Sequence, residues 1–416
     1  MTEPRTYQAP PTVGACMAGL AIPDAVTIFH GGAGCEIKLH SLLVSHNPTG
    51  DVHFRVVNTK VSEADLVLDA GEVLARSAGD IAARAHARLV LVTSASFIEI
   101  AGIDRDRLSA DLERRVGVPV VYAYAPDFAG DLFDGYQKAI AAVAARAVRD
   151  ARPAADRSGR VNVAGYVFDR PFGDHEGNLA EVRALVEGLG LRLNATLLDG
   201  SPAATLERLP AAEACVTLPG GGPAADILAS ALGQPRVDVE LPIGLDATRA
   251  FVATVAAAAG AGARAEALLE GREREVRGRV RQAAGSLAGR RVALFADGAK
   301  VRGLLGLCRD LRLKPILAGV LDGRVGGIEA GCGMEVLSDP GQRDCLDRIE
   351  TLARAGELDL VIGPWVEALA ARRAGVAGVE FGFPCRWHVP LGPCPYMGHG
   401  GVLAMASRLI LALGAA

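Results

Sequence analysis

Short runs of β-branched and aliphatic residues alternate along this chain with long segments in which alanine, leucine and arginine recur at helical spacing. The runs at 88–93 and 118–123 lack polar alternation, which is typical of strands buried on both faces of a parallel sheet. The segment at 105–116 between them predicts the crossover helix. The pattern therefore predicts βαβ units and an α/β fold.

The same pattern recurs after a polar linker at 149–159 that contains proline and glycine. Further strands are predicted at 161–167, 191–198, 213–218, 236–240, 359–363 and 379–381, and the segment at 291–323 is predicted to form a strand, a turn, a helix and a second strand. The segment at 264–290, rich in arginine and glutamate, predicts a solvated connecting helix. We predict three Rossmann-like domains with parallel sheets, at residues 1–157, 158–288 and 289–416.

Ligands of such folds bind at the carboxyl ends of the strands. This rule selects the turns at Gly31, Ser94, Gly220, Asp297 and Gly363 as candidate sites.

The first of these turns lies between two cysteines. Cys16 precedes the apolar strand at 26–29, Cys35 follows it, and the turn at 31–34 contains only glycine and alanine. Two thiols at one strand end could converge on an iron–sulfur cluster, for which thiolates are the usual ligands. Two alternatives stay open, because free cysteines are often buried apolar residues and glycine-rich turns are common in nucleotide-binding folds.

Composition narrows the class of protein. Of the 416 residues, 50% are hydrophobic but only 5% aromatic, so alanine, leucine and valine must form the core. The net charge of −4 argues against a nucleic-acid partner.

The chain has no apolar run of about 18 residues, so no membrane span is predicted. Eight cysteines without a signal-like beginning predict reduced thiols and a cytoplasmic location. The absence of a GxxxxGK[ST] motif predicts no ATP site of that type.

The remaining cysteines and histidines have weaker patterns. The segment at 385–399 holds Cys385, His388, Cys394 and His399, but its prolines favour an ordered surface loop over a metal site. Cys215 and Cys308 are predicted to be core residues, and Cys332 and Cys345 to lie in or beside loops. His30 could donate a hydrogen bond to a cluster sulfide or cap a strand.

Five motifs occur in an order that resembles component 1 of nitrogenase and its relatives. They are HGGAGC at 30–35, TSASFIEIAGID at 93–104, VPVVYAYAPDFAGDLFDGY at 118–136, LDLVIG at 358–363 and EFGFP at 380–384. The relatives include the cofactor-assembly scaffold, the dark-operative protochlorophyllide and chlorophyllide reductases and methylthio-alkane reductase. The stretch at 381–401 looks like the ending of a β-type subunit.

The resemblance implies a cluster at an α/β subunit interface. Cys16 and Cys35 fall on its first two cysteine positions, and Ser96 stands where the third would be. Ser96 is then an oxygen ligand, a hydrogen bonder of the cluster or a plain strand-end residue. Retention of both cysteines favours an eight-iron, P-cluster-like site over a four-iron cluster.

The function implied is that of a β-type subunit without catalytic residues of its own. In an α2β2 heterotetramer, its cluster would relay electrons from an ATP-dependent homodimeric iron protein to the substrate site, and to any active-site metallocluster, in the α-type subunit. The size and layout are similar to those of the scaffold and the smaller reductases, and retention of Cys16 favours a catalytic reductase. Among the catalytic relatives, the compact subunits of methylthio-alkane reductase imply reductive C–S cleavage of methylthio-alkanes. The alternatives are an assembly scaffold, in which Cys16 is dispensable, a dark-operative tetrapyrrole reductase, and a metal-free Rossmann-type protein.

Overall fold

Three parallel sheets form the framework of the computed structural model, which describes residues 9–47, 52–68, 70–328 and 333–414. The chain divides into two compact units, Gln8–Pro171 with Arg192–Asp238, and Phe172–Leu191 with Val239–Ala416. The first unit holds two four-stranded sheets and the second holds a five-stranded sheet, and all of their strand pairs are parallel. The predicted α/β class with several Rossmann-like parallel sheets is confirmed, whereas the three domain boundaries stay a prediction.

Sheet 1 has the strand order β2-β1-β3-β4. Its strands are β1 (Ala25–His30), β2 (Val56–Asn58), β3 (Leu89–Ser94) and β4 (Val120–Tyr122). The helices of this region are α1 (Pro11–Leu20), α2 (Ala33–His46), α3 (Val52–Arg55), α4 (Glu63–Leu68), α5 (Ala70–Arg84), α6 (Ser96–Ile100), α7 (Arg105–Val116) and α8 (Leu132–Val148). The central strands β1 and β3 are buried along their whole length, which explains their unbroken apolar sequence.

Helix α1 lies very close to helix α8. A Cβ atom added at Gly14 would lie 1.9 Å from the carbonyl oxygen of Leu132, and one added at Gly135 would lie 1.9 Å from that of Pro11. Only glycine permits this approach of the two backbones. Every residue of α1 is buried, so the helix lacks the one-sided apolar pattern by which amphipathic helices are found in a sequence.

Sheet 2 has the order β6-β5-β7-β8. Its strands are β5 (Arg160–Ala164), β6 (Arg192–Thr196), β7 (Ala214–Thr217) and β8 (Arg236–Asp238). The neighbouring elements in sequence are α9 (Gly173–Gly188), a 3-10 helix (Ala203–Ala211), α10 (Gly222–Leu232), α11 (Leu245–Ala259) and α12 (Gly262–Leu287). Helices α9, α11 and α12 belong to the second compact unit, although the predicted boundaries group them with sheet 2.

Sheet 3 has the order β11-β10-β9-β12-β13. Its strands are β9 (Arg291–Ala296), β10 (Lys314–Val320), β11 (Glu335–Ser338), β12 (Leu360–Gly363) and β13 (Ala377–Glu380). Its helices are α13 (Gly298–Leu311), α14 (Gln342–Arg354), α15 (Trp365–Arg373) and α16 (Gly398–Gly414). Cys345 lies on α14 inside the apolar core with Phe295 and Ile349, so the prediction that it lies in or beside a loop was wrong.

Glu367 is an unusual member of this unit, because its carboxyl group is buried and both oxygens lack a hydrogen-bond partner among the described residues. Burial raises the pKa of Glu367 from 4.5 to about 8. The folded chain therefore holds this carboxyl protonated at neutral pH, whereas the unfolded chain ionises it.

We expect this difference to make the stability of the wild-type chain fall as pH rises from about 4.5 to about 8. Relative to Glu367→Gln, which cannot ionise, the wild type should lose a few kcal/mol between pH 5 and pH 8.5. Urea unfolding at both pH values measures the change, with the exposed Glu357→Gln as the matched control. Parallel stability curves for the wild type and Glu367→Gln would contradict the expectation.

Candidate functional site

The carboxyl edge of sheet 1 brings two short turns together. Strand β1 ends at His30 and strand β3 ends at Ser94, and the two residues are paired in register. The backbone N–H of Ala95 donates to the carbonyl oxygen of His30 at 2.9 Å. Helices α2 and α6 start directly after these turns, so their first turns lie at the same edge of the sheet.

Cys35 is in the first turn of α2 and is exposed to solvent. The preceding turn is shorter than predicted, because Gly32 caps the helix and Ala33 and Gly34 already belong to it. A Cβ atom at Gly31 would lie 2.8 Å from the ring of Phe29, whereas one at Gly34 would meet nothing within 4 Å. Gly31 is therefore required by packing within the chain, and the space beside Gly34 is open to a bound group or a partner.

Cys16 is placed differently. It lies inside helix α1 and none of its surface is exposed. Burial, together with the negative charge of Asp127, raises the pKa of the Cys16 thiol far above its usual value. Cys16 is therefore a buried core thiol in the chain by itself, and its convergence with Cys35 at a cluster stays a prediction.

Ser96 is the first residue of α6, at the edge that carries Cys35. Its hydroxyl oxygen accepts a hydrogen bond from the backbone N–H of Asp127 at 2.9 Å. The hydroxyl of Thr12, in the first turn of α1, donates to Oδ1 of Asp127 at 2.6 Å. Asp127 thus links the first turns of α1 and α6, a connection between distant segments that no local sequence pattern reveals.

A second polar network lies at the ends of β3 and β4. The hydroxyl of Tyr122 donates within this network, 2.8 Å from Oε1 of Glu99 and 2.9 Å from Oγ of Ser94. Ser94 also donates to Glu99. The guanidinium of Arg105 lies 3.4 Å from Oε2 of Glu99 and stacks over the ring of Tyr124. The sequence motif at 93–104 contained Glu99, but its apolar neighbours gave no sign of this network.

His30 is fully buried at the end of β1. Burial lowers its pKa to about 4, so the ring is neutral at physiological pH. Nδ1 lies 2.9 Å from the hydroxyl oxygen of Thr59, while Nε2 has no hydrogen-bond partner among the described residues. A neutral imidazole with one unpartnered nitrogen is suited to hydrogen bonding with a group bound at this edge.

At the other predicted edges, glycines allow the chain to pack closely on itself. At sheet 2, a Cβ atom on Gly221 would lie 2.4 Å from the carbonyl oxygen of Ala164, so Gly221 serves close backbone contact, whereas a Cβ on Gly220 would meet nothing within 4 Å. At sheet 3, Oδ1 of Asp322 accepts the N–H of Gly298 at 2.9 Å, and a Cβ on Gly298 would lie 2.1 Å from a carbonyl oxygen. The start of α13, where a dinucleotide phosphate would bind, is thus already occupied by a carboxylate.

The other cysteines do not form a site in the part of the chain that the structure describes. Cys215 and Cys308 are buried, and burial raises the pKa of each to about 12. The Cys385 thiol lies 3.1 Å from the carbonyl oxygen of Gly382, and Cys394 is half-buried. Cys332 lies outside the described residues. Within residues 9–47, 52–68, 70–328 and 333–414, no three His, Cys, Asp or Glu side chains converge as a metal site would require.

Fold and site together define a class: an α/β protein of three parallel sheets that presents a free thiol, a serine hydroxyl and a small-residue turn at the carboxyl edge of its first sheet. Among the described helices, none is long and apolar enough to cross a bilayer. The chain belongs to the nitrogenase component 1 type oxidoreductase family, whose model matches residues 10–413. The family assignment made from the five motifs is therefore confirmed.

The similar proteins include β-type chains. The nitrogenase iron-iron protein beta chain of Rhodobacter capsulatus is 26% identical over 95% of this chain and 90% of its own length. A light-independent protochlorophyllide reductase chain of Methylobacterium radiotolerans is 27% identical over 97% of this chain and 76% of its own length. The nitrogenase iron-molybdenum cofactor biosynthesis protein NifN of Rhodobacter capsulatus is 34% identical over 35% of this chain and 32% of its own length.

A solved structure, "Nitrogenase Cp1 at pH 6.5", shares the fold. It superposes with a TM-score of 0.80 over 100% of this chain and 94% of its own, at 18% sequence identity. The likeness supports the three-sheet architecture.

Proposed function

We propose that this chain is the β-type subunit of a nitrogenase-like complex and contributes Cys35 to an iron–sulfur cluster at the interface with an α-type subunit. The observation that carries the proposal is an exposed thiol, at the carboxyl edge of sheet 1, in a family of oxidoreductases. The chain supplies no catalytic residue in this proposal, and the substrate site lies in the partner.

Large exposed apolar side chains around Cys35 support a subunit interface there. We define the edge surface as the large exposed apolar side chains in the segments that follow β1, β3 and β4, which are Ile37, Phe97, Ile100, Tyr124 and Phe128. Ile37 and Ile100 are the most exposed of them, at 76% and 75%. Clustered exposed apolar side chains of this kind mark interaction sites in soluble proteins. The occupant that we propose is the α-type subunit of an α2β2 complex.

The residues at this edge fit a shared cluster better than a complete one. Cys35 is exposed, the space beside Gly34 is open, and Nε2 of His30 lacks a partner among the described residues, but one thiol cannot hold a cluster alone. The remaining thiolates would come from the partner. When bound, such a cluster takes up and releases single electrons, received here from an ATP-dependent iron protein. The chain's own part is to hold Cys35 and exclude water.

Two kinds of function fit such a subunit. A catalytic reductase, with C–S bonds of methylthio-alkanes as the first substrate class to assay, is the function that the motif resemblance favours. The burial of Cys16 favours the second, an assembly scaffold with a four-iron cluster, because that function does not require a second thiol. A tetrapyrrole reductase with a four-iron cluster fits the same observation.

The test is anaerobic co-purification with the α-type subunit, followed by iron counting and EPR of the oxidised and reduced complex. About four interfacial irons per αβ pair would support a cluster held by Cys35 and partner thiolates. About eight would return Cys16 to the ligand set. A folded αβ complex without iron would overturn the cluster proposal, and turnover assays on the loaded complex separate reductase from scaffold.

The edge surface is tested by placing a charge within it. We expect Ile100→Glu to weaken association with the α-type subunit by about tenfold or more, because the carboxylate would have to be desolvated at an apolar interface. The matched control is Leu411→Glu, since Leu411 on α16 is 73% exposed and lies outside the edge surface. Titration by biolayer interferometry measures both. Equal affinities for the two variants would contradict this placement of the interface.

A further inference from the structure

A cleft in the second unit carries more positive than negative side chains. It lies between the start of α11, the C-terminal half of α12 and the end of α13, and has a volume of about 420 Å³. This volume is within the range of small-molecule sites. Its charged lining is Asp246, Arg277, Arg281, Arg309, Asp310 and Arg312.

The two carboxylates of the cleft already have partners. Oδ2 of Asp310 accepts the backbone N–H of Leu245 at 2.7 Å, which satisfies the first turn of α11. Asp246 pairs with Arg309 at 3.5 Å. One carboxylate is therefore hydrogen-bonded and the other ion-paired before any ligand arrives, and the four arginines still outnumber the two aspartates of the lining.

The arginines are only partly compensated. Arg277 reaches Glu273, one turn earlier on its own helix, at 3.5 Å. Arg281 and Arg312 have no ion-pair partner within the described ranges of the chain. Arg312 also adopts a left-handed backbone conformation, with φ of 57°, at the end of α13, where glycine is the usual residue. Arg281 on α12 and Arg312 directly after α13 thus line one cleft without an ion-pair partner among the described residues.

We propose that this cleft binds a small ligand that carries a diphosphate group. Guanidinium groups bind phosphate oxygens through two parallel N–H donors. The aliphatic side chains of Leu245, Val280 and Leu311 form the rest of the lining. They leave room for an organic group attached to the diphosphate. The site belongs to the second unit and does not depend on the proposed cluster.

Isothermal titration of the purified chain, or of its complex, with inorganic pyrophosphate at constant ionic strength tests the site. We expect saturable binding that weakens at least tenfold in the double variant Arg281→Gln, Arg312→Gln. Arg279→Gln is the matched control, because Arg279 lies on the same helix, pairs with Glu275 and does not line the cleft, and we expect unchanged affinity.

Titration with ADP distinguishes the sources of the diphosphate. Tighter binding of ADP than of pyrophosphate would support a nucleotide ligand in contact with the aliphatic lining, and tighter binding of pyrophosphate would support the free anion. No saturable binding of either, equal affinity of the wild type and the double variant, or equally tight binding of sulfate would overturn the proposal. Thermal melts of all variants verify that the loss does not come from unfolding.

Discussion

Replacing Cys35 with alanine is expected to remove the interfacial iron from the complex, whereas replacing Cys16 with alanine should leave the iron content unchanged. Cys35 is exposed in the first turn of α2, where a thiolate can reach a group shared with a partner. Cys16 has no exposed surface, so a group shared with a partner reaches it only if the packing around α1 opens. We expect the Cys35 variant to lose nearly all of about four irons per αβ pair.

The measurement is iron content and EPR signal of the co-purified complex, made alongside a thermal melt of each variant. Cys308→Ala is the matched control for Cys16→Ala, because both thiols lie on helices and are buried. Loss of iron in Cys16→Ala, without loss of stability, would contradict the expectation and restore the eight-iron prediction. Full iron in Cys35→Ala would remove the basis of the proposed function.

The Gly14→Ala substitution should destabilise the chain more than a single added methyl group usually does. The added Cβ would lie 1.9 Å from the carbonyl oxygen of Leu132, so helices α1 and α8 must move apart. Because both helices are packed into the core, we expect a loss of about 3 kcal/mol. The displacement would also pull Thr12 away from Asp127, and with it the link to Ser96.

Gly79→Ala is the control for this substitution. Gly79 lies within helix α5, and a Cβ atom added there would meet nothing within 4 Å. The same change should therefore stabilise the chain by up to about 1 kcal/mol, since alanine is the better helix former. Urea midpoints compare the two variants. Equal midpoints would mean that α1 and α8 can separate at little cost, contrary to the close contact of their backbones.

The strands of the three sheets were largely predictable, because strands buried on both faces are unbroken apolar runs. The prediction at 88–93 corresponds to β3 and the prediction at 118–123 to β4. Strand β2 was missed, because it follows α3 directly and no turn residue marks where the strand begins. Helix α1 was missed for a different reason, since burial on every side leaves no polar face to define a period.

The chemistry at the edge of sheet 1 was predictable only in part. The sequence identified Cys35 because it follows a strand, and the carboxyl ends of parallel strands are where ligands bind. Ser96 was identified by the resemblance to component 1, in which it stands at the third cysteine position. The partners of Ser96 and Glu99 could not be found, because Asp127 and Tyr122 are more than twenty residues away in the chain.

The parallel α/β architecture and the family are properties of the sequence, because apolar runs, their order and the five motifs are local in the chain. The exposure of Cys35, the burial of Cys16 and the uncompensated arginines of the cleft are decided by tertiary structure. Exposure and charge balance depend on which surfaces are packed together. Two cysteines that flank the same strand can therefore end as a buried core thiol and as an exposed thiol.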